Sequence, residues 1–159
     1  VELVISLVFP DGETASYPSL TDVQREKLKP LNILLVDDSV VARAQLSTAL
    51  DSMNITYKVT ANGNDALNIM KQNANENSPI DLVVSDIEMP GLDGYELTFE
   101  IRDNSAQLGA PYIILHTSLS RDISVSQAHQ VGANEALTKF DASELIQAML
   151  RGAENKHTG

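Results

Sequence analysis

Three carboxylates follow short apolar runs of the sequence, where they could hold a metal ion. Asp37 and Asp38 come directly after one run, and Asp86 ends another. At an effective dielectric near 20, two like charges ~4 Å apart repel by about 4 kcal/mol, so a shared pocket needs a compensating cation or proton. Mg2+ prefers oxygen ligands and is typically held by one or two carboxylates together with a phosphate. These residues therefore predict a Mg2+ site suited to a phosphoryl group.

A hydroxyl and a cation follow two later apolar runs, at Thr117 and Lys139. Phosphoryl transfer depends mainly on positioning and charge stabilisation, to which both groups could contribute. A single Asp at a strand end is usually a cap or turn residue, but an Asp pair, a further Asp and a Lys at three strand ends favour chemistry. His116 and His129 have no second imidazole at ligand spacing, so we expect packing or surface roles for them.

The elements that must position these residues alternate short apolar runs with longer amphipathic ones, as βα units do. The predicted strands are Ile33 to Val36, Thr56 to Thr60, Leu82 to Ser85, Tyr112 to Leu115 and Glu135 to Thr138. The predicted helices are Val40 to Leu50, Asp65 to Gln72, Tyr95 to Asn104, Ile123 to Val131 and Ser143 to Arg151. Five such units predict an α/β fold, a flavodoxin-like (βα)5 doubly wound parallel sheet of strand order 2-1-3-4-5. Its ligand crevice lies at the carboxyl ends of the strands.

Two stretches stand outside the repeat. Residues 1–30 open with alternating apolar residues and end in the charged stretch Gln24 to Lys29, which predicts a hairpin or lone strand and then a linker. An isolated hairpin is marginally stable, so it must pack on something. Residues 73–78, NANENS, predict a polar loop. The predicted organisation is an N-terminal extension at 1–30, one domain at 31–151 and a C-terminal tail at 152–159.

The composition excludes several classes of function. Eleven Lys and Arg against 22 Asp and Glu give a net charge of -11, which argues against nucleic acid as a partner. The chain has no cysteine, which excludes disulfides and thiolate chemistry and fits a reducing cytoplasm. No apolar run approaches the ~20 residues that span a bilayer, so we expect no membrane insertion.

Four segments resemble the response-regulator receiver domain, over residues 31–151: LLVDDS at 34–39, DLVVSDIEMPGLDG at 81–94, LHTS at 115–118 and TKF at 138–140. The resemblance implies that Asp86 takes a phosphoryl group from the phosphohistidine of a kinase. It also implies that Asp38 binds Mg2+ directly, Asp37 does so largely through water, and Glu88 contributes its backbone carbonyl. Such a domain is a phosphoacceptor rather than an enzyme, apart from limited self-phosphorylation and autodephosphorylation.

The resemblance also implies that Thr117 and Lys139 bind the phosphoryl oxygens. Counting forward from Asp86 leads to His116, whereas counting back from Lys139 leads to Thr117, so either residue could occupy the hydroxyl position. Phe140 follows Lys139 where the family usually has proline.

Among receivers, SDIEMPGLDGYELTFEIR, IILHTSLS and the Lys-Phe pair look most like CheV-type chemotaxis coupling proteins, which carry a CheW-like adaptor domain before the receiver. The resemblance implies a histidine kinase of CheA type as partner and chemoreceptors reached through an upstream adaptor. Residues 1–30 could be the end of that adaptor. The expected function is modulation of receptor–kinase coupling by phosphorylation.

Other functions remain open from the residues alone. A Mg2+-dependent phosphohydrolase of haloacid-dehalogenase type also uses a strand-end Asp as nucleophile, but its Asp-x-Asp pattern follows the first strand, whereas Asp86 follows the third. A flavin-binding electron carrier shares the fold, although no hydroxyl-rich phosphate loop follows the first strand here. A degenerate receiver, used only for docking, is a further alternative.

Overall fold

The computed structural model describes residues 5–8, 14–17, 21–117, 125–138 and 142–158. The elements are, in chain order, β1 (Ile5–Val8), β2 (Thr14–Tyr17), α1 (Asp22–Leu28), β3 (Ile33–Val36), α2 (Val40–Ser52), β4 (Lys58–Thr60), α3 (Gly63–Asn75), β5 (Leu82–Asp86), α4 (Gly94–Asp103), α5 (Ser105–Leu108), β6 (Tyr112–Thr117), α6 (Val125–Val131), β7 (Glu135–Thr138) and α7 (Ala142–Thr158). Among these described residues, no helix is long and apolar enough to cross a membrane.

A five-stranded parallel sheet lies at the centre, with strand order β4-β3-β5-β6-β7. Numbered within the βα repeat this order is 2-1-3-4-5, so the predicted flavodoxin-like topology is confirmed. Side chains alternate between the two faces of each strand. Leu35 and Val84 join a hydrophobic cluster with α2 and α7, whereas Leu34 and Val83 join a second cluster with α3 and α4. Cover on both faces explains the nearly continuous aliphatic sequences of the central strands.

The predicted and observed elements differ most at the carboxyl ends of two helices. Helix α3 continues to Asn75. Asn73 is buried, and its side chain offsets the cost of burial by accepting a hydrogen bond from Lys58 Nζ (2.8 Å) and donating one to the Ser78 carbonyl (2.9 Å). The first half of the predicted NANENS loop is therefore helical. Helix α7 continues to Thr158, so most of the predicted tail at 152–159 is helical as well.

The segment before the sheet is more ordered than a linker. Strands β1 and β2 pair antiparallel, as a hairpin does, and β2 approaches α7. Much of the predicted linker forms α1, which Thr21 and Gln24 begin with a reciprocal capping box. Leu28 is 1% exposed and belongs to the same hydrophobic cluster as residues of α7. Lys27 Nζ forms a salt bridge with the Glu154 carboxylate of α7 at 2.9 Å. The division at residue 30 into extension and domain stays a prediction.

Polar networks close the amino-terminal edge of the sheet. Arg102 of α4 donates hydrogen bonds to the carbonyls of Gly132 (2.9 Å) and Pro111 (2.8 Å) and to Asn134 Oδ1 (3.0 Å). Burial lowers the pKa of Arg102. These bonds tie the end of α4 to the segments that enter β6 and β7.

A second network joins β6, β7 and α7. Tyr112 Oη donates to Glu135 Oε2 at 2.6 Å, and Arg151 binds both oxygens of the same carboxylate. Burial, followed by the hydrogen bond to Glu135 and its charge, raises the pKa of Tyr112 to about 12. Burial alone would raise the pKa of Glu135, but the hydrogen bonds from Arg151 and Tyr112 hold it below its ordinary value.

Candidate functional site

The carboxyl ends of β3, β5 and β6 bring two carboxylates and an imidazole together. Asp37 follows β3, Asp86 ends β5, and His116 lies next to the end of β6. One carboxylate oxygen of each Asp and one ring nitrogen of His116 all lie within 4.8 Å of one another. The exposed fractions are 0%, 3% and 4%. The structure therefore brings together Asp37 and Asp86, two of the three carboxylates for which the sequence predicts a shared site, and Asp38 is not part of this group.

Helix α2 fixes the position of Asp37. Its Oδ1 accepts a hydrogen bond from the Ser39 backbone N–H at 2.9 Å, and its backbone carbonyl accepts one from Arg43 Nη1 at 2.8 Å. Ser39 caps the helix by accepting a hydrogen bond from the Ala42 N–H. Asp38, in contrast, is exposed.

The loop between β5 and α4 folds back tightly against Asp86. The Ile87 N–H donates to the His116 carbonyl (3.0 Å), and the Gly94 N–H donates to the Ile87 carbonyl (2.9 Å). A Cβ at Gly94 would lie only 2.3 Å from the Asp86 carbonyl oxygen, so a larger residue cannot stand there without displacing the backbone that carries Asp86. Asp93 begins α4 with a capping box, which fixes the far end of this loop.

Thr117 lies at the end of β6 and contacts this same loop. Its Oγ1 donates a hydrogen bond to Glu88 Oε2 at 2.8 Å. Thr117 is buried, whereas Glu88 is exposed. Burial, followed by the charges of Glu88 and Asp93, raises the pKa of the nearby Tyr95.

The structure adds His116 to the cluster formed by Asp37 and Asp86. The sequence alone predicts a packing or surface role for this residue. It is buried, but at the site: β5 and β6 pair in register so that Asp86 stands beside His116, and Thr117 lies one residue further on. In the sequence, counting forward from Asp86 is the signal that indicates this position. Lys139 and Phe140 lie outside the described residues.

The oxygen donors fit a hard divalent cation. The buried Asp37 and Asp86 carboxylates lie close together, and the exposed Asp38 is adjacent in sequence, so the local negative charge calls for compensation. Mg2+ favours such oxygen donors and retains several water molecules when bound to proteins. The imidazole of His116 is a better ligand for transition-metal ions than for Mg2+.

The fold and these strand-end carboxylates define a class of α/β signalling domain. Residues 33–150 match the family model of the response regulator receiver domain, and the chain belongs to that family.

Two relatives are chemotaxis proteins. The chain is 28% identical to chemotaxis protein CheV3 of Helicobacter pylori over 131 residues, which is 79% of this chain but 42% of that protein. It is 34% identical to a CheY chemotaxis protein of Rhizobium etli over 126 residues, covering 79% of this chain and 91% of that protein. The chain thus spans less than half the length of CheV3.

The fold also matches solved receiver domains. The receiver domain of the histidine kinase CKI1 from Arabidopsis thaliana, in complex with Mg2+ and BeF3-, superposes with a TM-score of 0.71 at 25% identity. The match covers 86% of this chain and 98% of that domain.

Proposed function

We propose that this chain is the phosphoryl-accepting receiver of a chemotaxis signalling protein, phosphorylated on Asp86. The observation that carries the proposal is the buried cluster in which Asp86 and Asp37 meet at the carboxyl edge of the sheet. Family membership supports a role in two-component signalling, and the likeness to CheV3 and CheY supports chemotaxis.

Mg2+ would be held by Asp37, Asp38, Asp86 and the backbone carbonyl of Glu88. When bound, it neutralises negative charge on the carboxylates and on the incoming phosphoryl group. The Asp86 carboxylate oxygen attacks phosphorus, so that an O–P bond forms while the N–P bond of the donor phosphohistidine breaks. The departing imidazole keeps the electron pair of that bond and takes up a proton.

The phosphoryl group is then bound by residues at the ends of β6 and β7. Thr117 and Lys139 supply a hydroxyl donor and a positive charge to its oxygens, and the charge-assisted bonds are stronger than neutral ones. Phosphorylation shifts the equilibrium between two arrangements of the loops after β5, β6 and β7. The shift is limited by the difference in free energy with which phosphate interacts with each arrangement.

The partners follow from the family and from the relatives. Receiver domains interact with histidine kinases or histidine phosphotransfer proteins. For this chain we propose a histidine kinase of CheA type and, through an upstream adaptor domain, chemoreceptors, all in the cytoplasm. A net charge of -11 disfavours nucleic acid as a partner. Phosphorylation would change how the receiver docks on these partners and so modulate receptor–kinase coupling.

Intact-protein mass after incubation with phosphoramidate tests the proposal. We expect a gain of one phosphoryl group that requires Mg2+, is prevented by EDTA and is absent from Asp86→Ala. Asp103→Asn, an exposed carboxylate on α4, is the matched control and should label like the wild type. Labelling of Asp86→Ala would refute the site assignment. No labelling of any variant would indicate a degenerate receiver that serves docking, and catalytic turnover of phosphate esters would indicate a phosphohydrolase.

A further inference from the structure

A hydrogen bond between two side chains joins the end of β6 to the loop after β5. Thr117 Oγ1 donates to Glu88 Oε2 at 2.8 Å, with the hydroxyl on a buried residue and the carboxylate on an exposed one. Glu88 is two residues after Asp86 in the chain, and Thr117 follows His116, the neighbour of Asp86 across the sheet.

A threonine hydroxyl has one proton and therefore donates to one acceptor at a time. If Thr117 donates to a phosphoryl oxygen on Asp86, it must release Glu88. We propose that the Glu88 side chain is a latch: it occupies the Thr117 hydroxyl in the unphosphorylated state and competes with the phosphoryl group for it. This inference rests on the function proposed above and gives Glu88 a second role, separate from its backbone carbonyl.

Charge acts in the same direction as this competition. A phosphoryl group adds a charge of about -1.5 to -2 and three acceptor oxygens, so it repels the Glu88 carboxylate while attracting the hydroxyl that Glu88 holds. Because Glu88 is exposed, its released carboxylate is hydrated at once, which keeps the cost of opening small. Glu88 thus sets how readily Thr117 becomes available, and it acts as a positioning residue through Thr117.

The test measures binding of beryllofluoride, a phosphoryl mimic, to four proteins at saturating Mg2+: wild type, Glu88→Ala, Thr117→Val and the double variant. Half-saturation is read from backbone amide resonances around Asp86. Glu88→Ala should lower the half-saturating concentration about threefold to tenfold, the range expected for losing one competing hydrogen bond. In the Thr117→Val background the same substitution should have a clearly smaller effect, because only the repulsion between charges remains once the hydroxyl is absent.

Two further variants guard the interpretation. Thr117→Ser keeps the hydroxyl and should keep the dependence on Glu88, which separates loss of the donor from a general disturbance of the buried position. Glu88→Gln keeps an acceptor without the charge and should give an intermediate effect. An equal effect of Glu88→Ala with and without the hydroxyl would overturn the latch, because it would show that Glu88 acts by charge alone. Failure of the wild type to bind beryllofluoride would instead overturn the proposed function.

Discussion

Replacing Leu28 with alanine should destabilise the entire domain, because this residue belongs to its hydrophobic core. Leu28 ends α1, is 1% exposed and packs in the cluster that lies between the sheet and α7. A buried Leu→Ala substitution costs about 2–5 kcal/mol, depending on how far the surroundings collapse into the cavity. Helix α1 has only seven residues and is held by its packing, so it can shift inward. We therefore expect the lower half of that range, about 2–3 kcal/mol.

Urea denaturation followed by far-ultraviolet circular dichroism measures this loss, which should appear as a lower midpoint with an unchanged slope. Val23→Ala, on the same helix but 67% exposed, is the matched control and should change the free energy of unfolding by less than about 0.5 kcal/mol. If Leu28→Ala were as mild as the control, α1 would be a linker that contributes no stability, and its packing on α7 would not matter for folding.

The polar networks at the amino-terminal edge give two further predictions. Arg102→Met, which removes three hydrogen bonds including the one to Asn134 Oδ1, should lower the free energy of unfolding by about 2–4 kcal/mol in the same urea assay; a loss below about 1 kcal/mol would contradict a clamping role. The pKa of Glu135 is lowered in the folded state, so its stabilisation is present above the ordinary value of 4.5 and is lost as pH falls through the folded value. Glu135→Gln should therefore destabilise the protein at pH 7 and approach the wild type on acidification, whereas a pH-independent difference would refute this linkage.

The strands, and the proximity of Asp37 to Asp86, could be predicted from the sequence because both follow from local patterns. Apolar runs of strand length, separated by amphipathic helices, define a doubly wound sheet, and its topology places Asp37 beside Asp86. Helix α1 could not be predicted in the same way, because Gln24 to Lys29 is charged and only its contact with α7 makes it a packed helix. The burial of Asn73 could not be predicted either, because its polar neighbours suggest a loop. Its side chain is buried with a hydrogen bond from Lys58, which is distant in sequence.

The position of His116 in the cluster with Asp37 and Asp86 depends on the register between β5 and β6, which no local sequence pattern specifies. A slip of one residue moves a strand's side chains to the opposite face of the sheet. Counting forward from Asp86 gives His116 and counting back from Lys139 gives Thr117, so the two counts place the phosphoryl-binding side chain on opposite faces of β6. The observed pairing of Asp86 with His116 places the imidazole on the face of the carboxylate, while Thr117 stands at the next position and bonds to Glu88. If Thr117 binds the phosphoryl group, the end of β6 must therefore rearrange on phosphorylation. The hydrogen bond to Glu88 is the contact that such a rearrangement has to break.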